Sequence, residues 1–129
     1  MAIETKQAAE VYNLKTPYLT QGRTTDLRAK TDLMTVIMKV YAEGGENGMH
    51  SHPHEDHSFI VLEGEATFHF EGEDNTRVLK PHEGVMLPKG TFYRFESTGQ
   101  QNLVMLRVGA APPGSPKQAV YPEGGDKSR

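Results

Sequence analysis

Four of the six histidines, His50, His52, His54 and His57, fall within eight residues of the stretch Gly44 to Gly64, GGENGMHSHPHEDHSFIVLEG. Side chains on an extended segment alternate faces, so His50 and His52 point one way and Ser51 the other. Two imidazoles one pleat apart can grip one ion. Pro53 cannot donate to a ladder and interrupts the strand. The polar His54, Glu55 and Asp56 then read as a bend, after which His57 can return to the same ion. Imidazole suits zinc, copper, iron and nickel, and three protein ligands with open positions is the pattern of catalytic metal sites. The competing reading is a hydrophilic turn that happens to be rich in histidine.

The elements that must position this stretch follow from the flanking sequence. Met34, Val36, Met38 and Val40 alternate with Thr35, Ile37, Lys39 and Tyr41, the period of a strand with one buried face. Phe59 to Leu62 is apolar on both faces, as in a central strand. Ala66, Phe68 and Phe70 form another half-buried strand, closed by the hairpin turn Glu71 to Asn75. Short strands follow at Val78-Leu79, Val85 to Leu87, Phe92 to Phe95 and Leu103 to Val108, each bounded by turn residues. This spacing predicts an all-β antiparallel sandwich or barrel. Upstream, Glu4 to Tyr12 is read as a short helix and Thr16 to Lys30 as an extended arm with one edge strand, suited to packing on a neighbouring subunit. The division expected is an arm over 1–30, a barrel over 31–108 and a Pro/Gly-rich flexible tail over 109–129, partly ordered near Val120 and Tyr121.

Composition narrows the function classes. The 129 residues suit a single domain. With 14 basic and 17 acidic residues, a net charge of −3 and no basic stripe, nucleic acid is not an expected partner. Cysteine is absent, so any metal must be held by histidine, carboxylate, tyrosine or water. No run of eighteen apolar residues and no signal-like N-terminus occur, so no membrane partner is expected and the location expected is cytoplasmic. There is no G-x-S-x-G elbow, P-loop or dinucleotide fingerprint.

The histidine stretch resembles the first motif of the cupins, a family of small jelly-roll barrels. That motif runs glycine, five residues, His-x-His, three or four residues, glutamate, six residues, glycine. Here Gly44, His50, His52, His57 and Gly64 hold every spacing, with His57 standing where the family usually has glutamate. Because the two glycines fix the register, Glu55 is not read as that glutamate displaced. The second motif is glycine, five residues, Pro-x-Gly, two residues, histidine, three residues, asparagine. Pro88 and Gly90 fit it, while His82, Tyr93 and Ser97 occupy its glycine, histidine and asparagine positions. The resemblance spans Leu33 to Val108. It implies a cupin-type jelly roll, or double-stranded β-helix, a homodimer, and a divalent transition metal (iron, zinc, nickel, manganese or copper) bound inside the barrel.

The expected ligands are His50, His52 and His57, with Tyr93 as a fourth ligand, a nearby hydrogen-bond donor or general acid, or simply a barrel-lining aromatic. Three neutral imidazoles leave a divalent centre at about +2, which favours an anionic or enolisable ligand. His54 is read as a rim group beside the ion, and His69 and His82 as solvated. The methionines at 34, 38, 86 and 105 are read as core. Phe59, Val61, Phe68, Phe92 and Phe95 are candidates for an apolar wall around the ion.

Three functions remain open at this point. One is a metalloenzyme, of dioxygenase or isomerase/lyase type, acting on a small carboxylate, enolisable or diketone molecule. Another is a non-catalytic cupin that binds a small ligand. The third is a metal-free cupin using Tyr93 and a histidine as acid and base.

Overall fold

The computed structural model of the chain describes residues 8–46, 48–72, 74–122 and 126–127. Among the described residues ten strands run in chain order: β1 (Arg23–Lys30), β2 (Met34–Tyr41), β3 (Asp56–Glu63), β4 (Ala66–Phe70), β5 (Thr76–Leu79), β6 (Gly84–Leu87), β7 (Tyr93–Ser97), β8 (Leu103–Ala110), β9 (Ala119–Val120) and β10 (Asp126–Lys127). They form a five-stranded sheet ordered β1-β2-β8-β3-β6, a three-stranded sheet ordered β5-β4-β7, and the β10-β9 pair. Every pairing is antiparallel. The expected all-β jelly roll is what the chain forms.

The core lies between the two larger sheets. Phe59 and Val61 from β3, Phe68 from β4, Tyr93 and Phe95 from β7, and Leu103 and Met105 from β8 close on Tyr41 at the end of β2. The Phe59, Phe68 and Phe95 rings meet pairwise at 5.2–5.5 Å, in the tilted contacts that aromatic quadrupoles favour. Gly64 turns the chain from β3 toward β4 with φ 81°, where a Cβ would lie 2.5 Å from the Asn102 carbonyl oxygen. Only glycine fits that approach.

β2 departs from the one-sided expectation. From Val36 to Tyr41 every residue is buried. The apolar row Met38 and Val40 packs outward against Val104, Leu106, Leu62 and Leu19, so it is the arm that covers it. Asn102 clamps this contact, accepting from the Leu19 N–H (2.7 Å) and donating to the Leu19 carbonyl (2.9 Å). The row Thr35, Ile37, Lys39 and Tyr41 therefore faces the barrel mouth instead of solvent. Alternation located the strand, but a strand with both faces covered cannot be oriented by it.

Other expectations change with this packing. Residues 8–12 form no helix, and residues 4–7 lie outside the described residues. The edge strand expected in the arm is β1, which pairs with β2 of its own chain. Met38 and Met105 are core, whereas Met34 and Met86 are exposed, Met86 at 65%. Phe92 is only half-buried and stands outside the aromatic cluster. His82 is exposed, but His69 is half-buried with its Nε2 3.6 Å from Glu96 Oε2. Among the described residues, no helix is long and apolar enough to cross a membrane.

Candidate metal centre

The His50-Ser51-His52 segment is held by alternating backbone bonds to two different strands. His50 exchanges N–H and C=O bonds with Tyr93 of β7 (3.0 and 2.9 Å), and Ser51 does the same with Val120 of β9 (2.7 and 2.9 Å). His52 offers its carbonyl to the Gly90 N–H at 3.0 Å, so the Pro88-Lys89-Gly90 turn braces the second histidine of the pair. Asp56 fastens the same turn by accepting from the Lys89 N–H at 2.8 Å. Pro53 and His54 make the expected turn, and β3 resumes at Asp56 with His57 facing inward.

These constraints bring buried rings together. His52 and His57 lie 4.4 Å apart between ring centroids, and His50 meets His52 edge-on at 5.1 Å. Carbonyls can only accept, so His50 Nδ1 donates to Gly48 (3.0 Å) and His52 Nδ1 donates to Gln118 (3.2 Å). Each contact leaves Nε2 as the lone-pair nitrogen, the tautomer a metal ligand needs. His57 gains its room from Gly109, its partner across β3 and β8. A Cβ there would stand 3.2 Å from His57 Cδ2 and 3.0 Å from Thr35 Oγ1.

Glu55 is the residue the sequence reading set aside. Its Oε1 lies 3.3 Å from His57 Nε2, and the donor atoms of His52, Glu55 and His57 all fall within 4.8 Å of one another. The register argument from the glycines holds for the backbone. A side chain two residues before His57 nevertheless shares its face, and that period could have pointed to it. Donors on one ion at 2.0–2.2 Å are at most about 4.4 Å apart, so a shift of a few tenths of an ångström lets this group close on a metal. With the carboxylate in place, a bound divalent ion would sit nearer +1 than the +2 expected from imidazoles alone.

The other candidates fall around this group. Tyr93 is 2% exposed and belongs to the aromatic core, with its ring 4.7 Å from His50 and 6.2 Å from His52. His54 stands at the rim, its Nε2 donating to the Gln118 side-chain oxygen at 2.9 Å. Gln118 thus serves two histidines from the tail, and Tyr121 brings its ring to 6.3 Å from His50. Order near Val120 and Tyr121 was expected, but the Gln118 contact with His52 was not legible beforehand, because it bridges 66 positions of sequence.

His50, His52, His57 and Glu55 open on a cleft of about 750 Å³ between the rows of β1, β2 and β8 and the 117–121 segment. Lys39 lies inside it, 3% exposed, donating to Glu46 Oε1 at 3.4 Å and 5.9 Å from the Tyr41 ring centre.

The family model of the cupin domain matches residues 37–109, more than half of the chain. The chain belongs to the cupins. Solved structures of low identity carry the same architecture. A conserved protein with a double-stranded β-helix domain from Klebsiella pneumoniae subsp. pneumoniae MGH 78578 aligns with TM-score 0.64 and 20% identity, over 79% of this cupin and 87% of that chain. A cupin family protein from Methanocaldococcus jannaschii aligns with TM-score 0.64 and 18% identity, over 84% and 94%. A cupin superfamily protein from Desulfitobacterium hafniense DCB-2 aligns with TM-score 0.58 and 20% identity, over 70% and 78%. In sequence, this cupin is 45% identical over 53 residues, 41% of its length, to the uncharacterized protein YdbB of Bacillus subtilis (strain 168). That match spans 46% of the relative, under half of its length.

Proposed function

We propose that this cupin is a metal-dependent enzyme acting on a small oxygen-rich molecule. A divalent transition metal would be held by His52, Glu55 and His57, with His50 beside them as a further ligand. The observation that carries this reading is the convergence of two buried imidazoles and a carboxylate within 4.8 Å at the head of a cleft. When bound, such an ion supplies Lewis acidity for isomerase or lyase chemistry, or dioxygen chemistry if it is iron. The chain's own part is to fix and shield. The Gly48 and Gln118 carbonyls hold the Nδ1 protons of His50 and His52, so Nε2 stays basic and aimed. Glu55 Oε1 can hold a proton from His57 Nε2 when no ion is present. Phe59, with its ring 6.4 Å from that of His57, brings the apolar core up to the group, and apolar surroundings raise the strength of charge interactions.

Metal analysis of protein purified without added metal, followed by titration with Zn(II) and Co(II), tests the proposal. About one equivalent bound by the native protein and little by His57→Ala is the expected result; no binding by the native protein would refute it.

One observation favours a second reading, a cupin that binds a small ligand without turning it over. Tyr93 occupies the histidine position of the second motif and is packed in the core, so that motif adds no side chain to the cleft lining. Turnover lost on chelation and restored by one metal would separate the catalytic reading from simple binding.

A further inference from the structure

We infer that Arg107 and Thr35 form the anion-binding half of this cleft, so that the molecule taken by the site carries a carboxylate at the end remote from the metal group. The inference rests on the proposed ion site for the other end of that molecule.

Strand register places the two halves side by side. On β8 the inward residues are Leu103, Met105, Arg107 and Gly109; Gly109 lies opposite His57 and Arg107 opposite Phe59. Arg107 is thus a diagonal neighbour of His57 on the same face, a backbone separation of roughly 7–8 Å. A molecule with a short carbon chain spans that gap. Across the next ladder Thr35 pairs with Gly109, so the row reads Thr35, Gly109, His57, with bare backbone in the middle. The absent side chain at Gly109 is what leaves space between the threonine hydroxyl and the imidazole.

Two further observations point to an anion. Thr35 Oγ1 is buried and has no hydrogen-bond partner among the described residues, although a buried hydroxyl without one is costly. The cleft is also basic against the trend of the molecule. Arg23, Lys30, Lys39, Arg107 and Lys117 line it, against Glu46 and Glu55 alone, in a chain whose net charge is −3. Glu46 is matched by Lys39, and a metal ion would add positive charge beside Glu55. Leu27 and Ile37 share the Arg107 row, and apolar neighbours strengthen a guanidinium–carboxylate contact. A planar fork that binds two oxygens at once distinguishes a carboxylate from a neutral amide of equal size. The ligand class is therefore a short dicarboxylate or oxo acid, with one oxygen-bearing end toward His52, Glu55 and His57 and one carboxylate on Arg107 and Thr35.

The test uses the full chain, Co(II) and succinate, with succinamide as the neutral isostere and inorganic phosphate as a rival anion. Co(II) absorption reports the metal end, and the melting temperature of the metal-free protein reports the anion end. The expected result is succinate binding at least tenfold tighter than succinamide. Arg107→Gln should abolish that preference and Thr35→Val reduce it severalfold, with Co(II) affinity unchanged in both. If Co(II) binds but the native protein does not prefer succinate, or Arg107→Gln retains the preference, the inference is overturned and the ion site stands. Phosphate binding more tightly than succinate through Arg107 would overturn the carboxylate assignment. If no ion binds while succinate still raises the melting temperature of the native protein and not of Arg107→Gln, the anion half stands and the ion reading fails. Should Arg107→Gln not fold, the native contrast and Thr35→Val decide the matter.

Discussion

Glu55 and His57 sit two residues apart, and their contact makes the smallest decisive test of the centre. Glu55→Gln keeps the shape but removes the charge that offsets a divalent ion. Zn(II) affinity measured by competition with a chelating dye should fall at least ~tenfold. An unchanged affinity would return the site to imidazoles alone. A second residue-scale prediction concerns His82, which occupies the glycine position of the second motif and has φ 74°. A side chain in the left-handed region costs about 1–2 kcal/mol, partly offset by glycine's greater freedom when unfolded. His82→Gly should therefore raise stability by roughly 0.5 kcal/mol in urea melts; a loss of stability would show that the turn depends on the imidazole.

The elements that hold the site lie far apart in the chain. The His50-Ser51-His52 segment has β7 bonded on one side and β9 on the other, and Gln118, just before β9, supplies the carbonyl that orients His52. Truncation after Lys117 removes that strand while leaving the two larger sheets intact. Metal affinity should drop about 10–100-fold, the usual effect of losing a group that orients a ligand. Far-UV circular dichroism should stay close to native. Full affinity in the truncated protein would assign the tail no part in the centre. Most strands of the two larger sheets were legible in the sequence, from alternation in β2 and β4 and from apolar runs between turn residues in β3, β6 and β8. The role of the tail was not, because its composition of Pro, Gly and Lys reads as linker whether or not it folds back.

At the scale of the whole molecule, the aromatic core joins both larger sheets, and Phe68 lies at its centre in contact with Phe59, Tyr93 and Phe95. Phe68→Ala should cost about 3–5 kcal/mol, a large part of a small domain's stability, seen as a lowered urea midpoint. The outer surface carries another prediction. Val11, Tyr18, Leu33 and Met34 are exposed, in the arm and around the turn from β1 to β2, and β1 is the edge strand of its sheet, the place where sheets recruit partners. We propose a homodimer through this face. Deleting residues 1–18, which spares β1 and the Leu19 clamp, should halve the mass measured by light scattering; an unchanged mass would remove this face from any assembly. By itself, the sequence determined the all-β class, most strands of the two larger sheets and the clustering of His50, His52 and His57, because periodicity and motif spacing are local. Only the tertiary structure decided that Lys39, Arg107 and Thr35 face the same cleft as those imidazoles, that Gly109 makes room for His57, and that Gln118 orients His52. Which face of a doubly covered strand turns inward, and which distant strand lies opposite, are fixed by pairing between segments, and that pairing leaves no local trace in composition.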